Sequence, residues 1–399
     1  MKSCTFLLAL PLAASAAVMK IEPRQFDLGG LASSLTGSLA NVFGPKPMKA
    51  VKIQDLTPRN PAAKRIRITW GPFMIKGANS TTKLGNSPSM DGGGTGYQFK
   101  PSTDFPTDIT LLDGIVEIHN KEGKRLTLDD NIYTHHFLMY DMGKPQKPTF
   151  TCENNEKIRY VPMPGSVIMG GAAEDAEAHY STTTVMADKK TGYYAKKDTP
   201  IIANIDVVNS NKEDMEVYPS ADMEYIPGRP EGFLDASPVF LPVTGCDPKD
   251  FVPGIIQTPK GQTKWSLSSK GVIANEDAIL FVFRGHMHDG GSNIDLKIND
   301  KLACDSQAVY GGKGHVGKNA DGKVWETIGD MKTCPEGVVV KKGDKISMSA
   351  NYDLVAHPAR EGGHGGMLGD QLGKLMGGDS DHAEQMAVMI VYAAPLNGK

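Results

Sequence analysis

The chain has 399 residues, room for two domains, and its net charge of -3 offers no basic field for nucleic acid. With 44 Gly and 26 Pro against 7 % aromatic residues, the composition is turn-rich and leans to β structure. Beyond the first residues, no apolar run is long enough to cross a bilayer.

Taken in order, the chain begins with a secretory signal over 1–16. Lys2 supplies the positive start, Phe6–Leu12 the apolar core, and Ala14-Ser15-Ala16 the small-residue cleavage site. The protein is therefore expected to be secreted and extracellular, in an oxidising compartment. Residues 17–48 read as a leader; the weak stripe of Leu28, Leu31, Leu35, Leu39 and Val42 fits a propeptide or a docking helix equally. From residue 49 the pattern is that of a folded chain. Arg65–Trp70 alternates as a half-buried strand, and a Gly/Ser/Asn-rich loop follows Ile75 and runs to Gly96. That loop holds Asn79-Ser80-Thr81, the one usable glycosylation sequon, consistent with a secreted glycoprotein.

Thr107–His119, Thr134–Tyr140 and Ile201–Val208 read as further strands, and the Pro/Gly-rich Ile226–Gly232 as a linker. Beyond it come the apolar run Ala278–Phe283, leading into His286-Met287-His288, and then Ile294–Ile298 with an Asn299-Asp300 turn. Asp344–Ala350 follows, then a Gly/Met/His-rich loop over Gly362–Asp381, and the closing strand Gln385–Ala393. No helical period competes with these strands. The expected fold is all-β, two tandem β-sandwich (jelly-roll-like) domains over 49–228 and 229–399. Once Cys4 leaves with the signal, four cysteines allow three pairings. The expected one joins Cys304 to Cys334 within the second half and leaves Cys152 to Cys246. No CxxC occurs, which argues against a structural zinc knot.

All ten histidines lie at or beyond His119. Side chains alternate along a strand, so Ile279, Phe281, Phe283 and Met287 share one face, while His286 and His288 share the other with Leu280 and Val282, a geometry that needs no distortion. Two imidazoles on one face at a strand end form a bidentate metal grip. The cupin pattern also uses His-x-His, but requires a Glu three or four residues on, where this chain has Gly291 and Ser292. Adjacent His135 and His136 point to opposite faces of a regular strand, and bind one metal only if the strand twists or bulges there. His364, Met376, His382, Glu384 and Met386 are candidates for a third ligand. A thioether joined to two imidazoles selects Cu(I) over zinc or magnesium.

Phe283-Arg-Gly-His286-Met-His288, together with Thr134-His135-His136-Phe-Leu-Met139, resembles the two copper motifs of the ascorbate-dependent type II copper monooxygenases, the peptidylglycine α-hydroxylating and dopamine β-hydroxylating enzymes. The likeness is to a divergent secreted branch typified by plant nodulin-like, stress-up-regulated proteins. It extends thinly over Met48–Pro395, and Glu384–Tyr392 matches the late strand that carries the methionine ligand. The resemblance implies one copper held by His286, His288 and Met386, and a second held by His135, His136 and a histidine from a later strand. Asp206 stands at that last position; His179, in Glu177-Ala-His-Tyr180, is a substitute displaced in sequence. It further implies one or two copper ions, ascorbate as reductant, and hydroxylation of a C–H bond in a small-molecule or peptide substrate that the sequence does not name. A carboxylate holds Cu(I) less well than imidazole. Asp206 therefore keeps two other functions in view: a non-catalytic secreted copper-binding or copper-scavenging protein, and a stress-related cell-wall protein. The sequence contains neither a Gly-x-Ser-x-Gly elbow nor a phosphate loop to suggest another reaction.

Overall fold

The structure is a computed structural model. It describes residues 45–397 apart from 90–92, 148, 155, 161–162, 173–176, 183–185, 187–188, 248–252, 257, 319–321 and 360–384. The signal at 1–16, the leader up to residue 44, and the loop carrying His364, Met376, His382 and Glu384 lie outside the described residues.

The chain is all-β, built as β-sandwiches. In the first, a five-stranded sheet has the spatial order Pro47–Met48, Thr95–Pro101, Ile201–Asn209, Ile132–Asp141, Ser166–Gly171. The opposing sheet centres on the long pair Ile109–His119 and Met215–Pro227. Alternation sorts each strand. Ile201, Ala203, Ile205 and Val207 enter the core with Phe137 and Met139, which sends Asn204 and Asp206 to the outer face of the five-stranded sheet. In the second sandwich, a sheet built on Ser237–Pro242, Gln385–Pro395, Ala278–Met287 and Val338–Val340 faces one whose middle strands are Gly291–Ile298 and Lys345–Asp353. Leu280, Phe283, Met287, Leu296, Met348, Met389 and Val391 fill the core between them. The Asn299-Asp300 turn adopts φ of 49° and 63°, both left-handed, the form that matches the twist of a two-residue hairpin.

Both expected disulfides are present, Cys152–Cys246 and Cys304–Cys334. Several boundaries differ from expectation. Pro47–Met48 already pairs in parallel with Lys100–Pro101, ahead of residue 49. Phe150–Cys152 pairs with Val272–Ala274 in the second sandwich, so the Cys152–Cys246 bridge lies within that unit. Conversely, Phe233–Asp235 adds to the first sandwich beside Lys190–Gly192. The expected linker is in part strand, since Ile226 and Pro227 still pair with Thr110 and Ile109. The Lys301–Tyr310 and Met215–Pro227 strands were not legible in the sequence, because charged and polar residues interrupt their apolar runs.

Candidate metal centres

A β-bulge sets the direction of the side chains in both histidine strands. In the first, Asp206 lies opposite His136 but Val207 lies opposite Thr134, so His135 is one residue extra in its strand. The insertion brings both imidazoles to the outer face, with ring centroids 5.1 Å apart. One ring nitrogen from each and one carboxylate oxygen of Asp206 lie within 4.8 Å of one another. His135 Nδ1 is 3.2 Å from Asp206 Oδ2, and Ser89 Oγ donates to Asp206 Oδ1 at 2.6 Å. His136 Nε2 bonds the side-chain oxygen of Asn204. Ser89 arrives on the segment before Gly94, where an added Cβ would fall 2.3 Å from Ser89 Oγ and 3.1 Å from Asp206 Oδ1. The glycine thus lets this segment close over Asp206, which is 1 % exposed. Burial raises the Asp206 carboxyl pKa, but hydrogen bonds from His135 and Ser89, with both imidazoles near, outweigh it and hold the group below its ordinary value.

In the second motif the bulge corrects the expected faces. Phe281 pairs with Tyr392 but Arg284 pairs with Ile390, and Val282 between them takes φ 51°. Phe283 and Met287 therefore join Leu280 in the second core. Ile279, Phe281 and Val282 pack into the core of the first sandwich instead. Arg284, His286 and His288 thus share the face of Ile279 and Phe281, turned toward the first sandwich, rather than the face of Leu280. The imidazoles of His286 and His288 lie 6.0 Å apart between centroids. His286 is opposite Val388, so two residues along the partner strand Met386 falls on the same face. Arg284 is paired with Asp330 at 3.0 Å. Past His288, the turn is fixed by Tyr310, whose hydroxyl accepts from Gly290 N at 2.8 Å and donates to Gly291 O at 2.9 Å.

His179 is not brought to His135 and His136. Its strand pairs with Ile109–His119 in the opposing sheet, where Nδ1 meets Asp113 Oδ1 at 2.7 Å. Asp113, Glu177 and His179 form a separate donor group, but the Arg59 guanidinium already donates to Glu177. The hydrogen bond to Asp113, followed by the charges of Glu177 and Asp113, raises the His179 pKa against the opposing effect of burial. Sequence reasoning also missed Ser89, Asn204 and Tyr310. Each acts through partners that are not its neighbours in sequence, and only the folded chain brings them together.

No protein-family model matches the chain, and no curated protein matches it. Among solved structures, PNGF-II in two crystal forms aligns with TM-scores of 0.35 and 0.33, at 10 % and 13 % identity, over 87 % and 82 % of this chain. The chain spans 65 % of the length of those PNGF-II chains. The extracellular domain of ANXUR2 from Arabidopsis thaliana aligns at TM-score 0.16 and 9 % identity, over 88 % of this chain and 96 % of that one. Likenesses of this degree assign neither a family nor an activity.

Proposed function

We propose that the protein is a secreted copper protein resembling the type II copper monooxygenases, with copper at His286, His288 and Met386 and a second ion at His135, His136 and Asp206. The observation that carries this reading is the bulge at His135, which gathers two adjacent imidazoles and a buried carboxylate into one donor group. The donor sets fit copper. Two imidazoles with a thioether suit Cu(I), and two imidazoles with a carboxylate suit Cu(II). Bound copper would supply one-electron redox chemistry and O2 activation for C–H hydroxylation, with ascorbate as reductant.

The residues contribute position. Asp206 Oδ2 lies 3.2 Å from His135 Nδ1 and Ser89 holds its other oxygen, so the carboxylate is already oriented beside the imidazole it would join as a ligand. The Asn204 side-chain oxygen bonds His136 Nε2 and so orients that ring. Tyr310 clamps the turn that follows His288, holding the end of the His-x-His strand.

A second reading, copper binding without hydroxylation, is favoured by one observation: Asp206 occupies the place where the resemblance calls for a third imidazole. Copper content, the Cu(II) spectrum and oxygen uptake separate the two. Two ions per chain, with ascorbate-driven oxygen uptake above a free-copper control that increases in Asp206→His, support the monooxygenase. Uptake no higher than the control in both proteins leaves copper binding alone.

A further inference from the structure

The aromatic contacts around the first cluster continue into the second half of the chain. The Tyr133 ring lies 6.3 Å from the His135 imidazole and is inclined to it by only 17°. The indole of Trp325, on the hairpin strand Val324–Glu326, meets the same Tyr133 ring edge-on at 5.5 Å. Trp325 is half-buried between exposed Val324 and Glu326. A row of three rings thus leads from the protein surface to a cluster whose carboxylate is 1 % exposed. The other two tryptophans are placed elsewhere: Trp70 is wholly buried in the first core, and Trp265 stacks on Tyr352 at 4.0 Å.

We propose that Tyr133 and Trp325 form an escape path that draws oxidising equivalents away from His135 and His136 to the surface; this rests on the copper reading above. Indole and phenol are the side chains most readily oxidised by one electron. Tunnelling falls off exponentially with distance, so two short steps through adjacent rings outrun one long jump. The oxidant is hydrogen peroxide, the product of O2 reduction when no substrate is hydroxylated. Its O–O bond breaks as it takes two electrons and two protons to become two waters. One electron would be supplied by reduced copper held at His135 and His136, leaving it as Cu(II), and the Trp325 indole gives the other by way of Tyr133. One proton is the indole N–H, released to solvent, and solvent supplies the balance. Ascorbate then returns one hydrogen atom to the indole. Without the path, the second electron is taken from the imidazoles beside the metal, and the site loses its ligands.

The test exposes the copper-loaded full chain to hydrogen peroxide and ascorbate, and maps oxidised residues by peptide mass spectrometry. Where O2 captures the indolyl radical before ascorbate does, it adds to the ring, so oxygen addition is expected at Trp325, with Trp70 and Trp265 spared. Tyr133→Phe should lower Trp325 oxidation by about tenfold, a barrier change of about 1.4 kcal/mol, and raise oxidation of His135 and His136. Trp325→Phe should raise the histidine oxidation alike. Both variants keep an aromatic ring in place, and their copper content and Cu(II) spectra should match the wild type. Equal Trp325 oxidation in metal-free protein or in Tyr133→Phe, or no rise at the histidines in either variant, overturns the escape path and leaves the copper site standing. Unchanged copper content in His135→Ala means that the ion is elsewhere, and overturns both.

Discussion

Val282 carries the reversal of the His-x-His strand, and its backbone gives a signed test. Its φ of 51° lies in the left-handed region, where an L residue is strained by about 1–2 kcal/mol. Val282→Ala and Val282→Gly both lose the isopropyl packing, so their difference isolates the backbone and one methyl group. At an ordinary buried strand position Ala is favoured over Gly by about 0.5–1 kcal/mol through backbone freedom, and by about 0.8 kcal/mol more for the methyl, together about 1.3–1.8 kcal/mol. Left-handed strain at residue 282 opposes this by about 1–2 kcal/mol, so the two variants should agree within about 0.8 kcal/mol. Leu280, 1 % exposed on the same strand and without a positive φ, is the control, and its Ala and Gly variants should show the full difference. Urea unfolding with matched m-values measures all four. If Gly falls below Ala by as much at Val282 as at Leu280, the bulge is absent. His286 and His288 then return to the face of Leu280, and the site geometry is wrong.

Removing Cys304–Cys334, which closes a separation of 30 residues, should cost about 3.6 kcal/mol by loop entropy. Removing Cys152–Cys246, with a separation of 94, should cost about 4.7 kcal/mol. Denaturant midpoints of the paired Cys→Ser variants check both values and their order. Met386→Ile should keep the fold while weakening Cu(I) affinity, because volume is nearly conserved but the sulfur is gone. Competition with a Cu(I) chelator measures it, and unchanged affinity in both Met386→Ile and His286→Ala would place the ion elsewhere. Glu117 accepts from His119 Nε2 at 3.3 Å and sits 3.5 Å from the Arg125 guanidinium. The His119 hydrogen bond, ahead of the opposing effect of burial, holds its carboxyl below the ordinary value. The folded pKa is depressed, so this stabilisation is full above the ordinary Glu range and fades as pH falls through the folded pKa. Thermal melts should show wild type more stable than Glu117→Gln at neutral pH, with the gap closing in acid; a gap that widens in acid refutes the assignment.

Much of the fold was legible because a strand writes its own signal. Ile201–Val208 and Gln385–Ala393 are apolar runs whose buried faces the structure reproduces, and Asn299-Asp300 marks its hairpin with residues tolerant of positive φ. The pairing of Cys304 with Cys334 followed from proximity in the chain. The division at residue 228 was less legible. Phe150–Cys152 and Phe233–Asp235 are three-residue strands whose allegiance depends on partners more than 35 residues away.

The sequence by itself determined which side chains are available: two histidine motifs, a late methionine, and strands to carry them. Tertiary structure decided which way they point. A bulge is a mismatch in count between two strands, so neither strand alone reveals it. Pairing against Ile201–Asn209 makes His135 the extra residue and turns two opposed imidazoles into neighbours. Pairing against Gln385–Pro395 does the reverse service at Val282, moving His286 and His288 to the face that meets the first sandwich. The pairing against Ile201–Asn209 also makes Asp206 a partner of His135, and Gly94 leaves room for the distant Ser89 to reach its other oxygen. Side-chain chemistry is local, whereas register is a property of two strands at once, and here register sets the site.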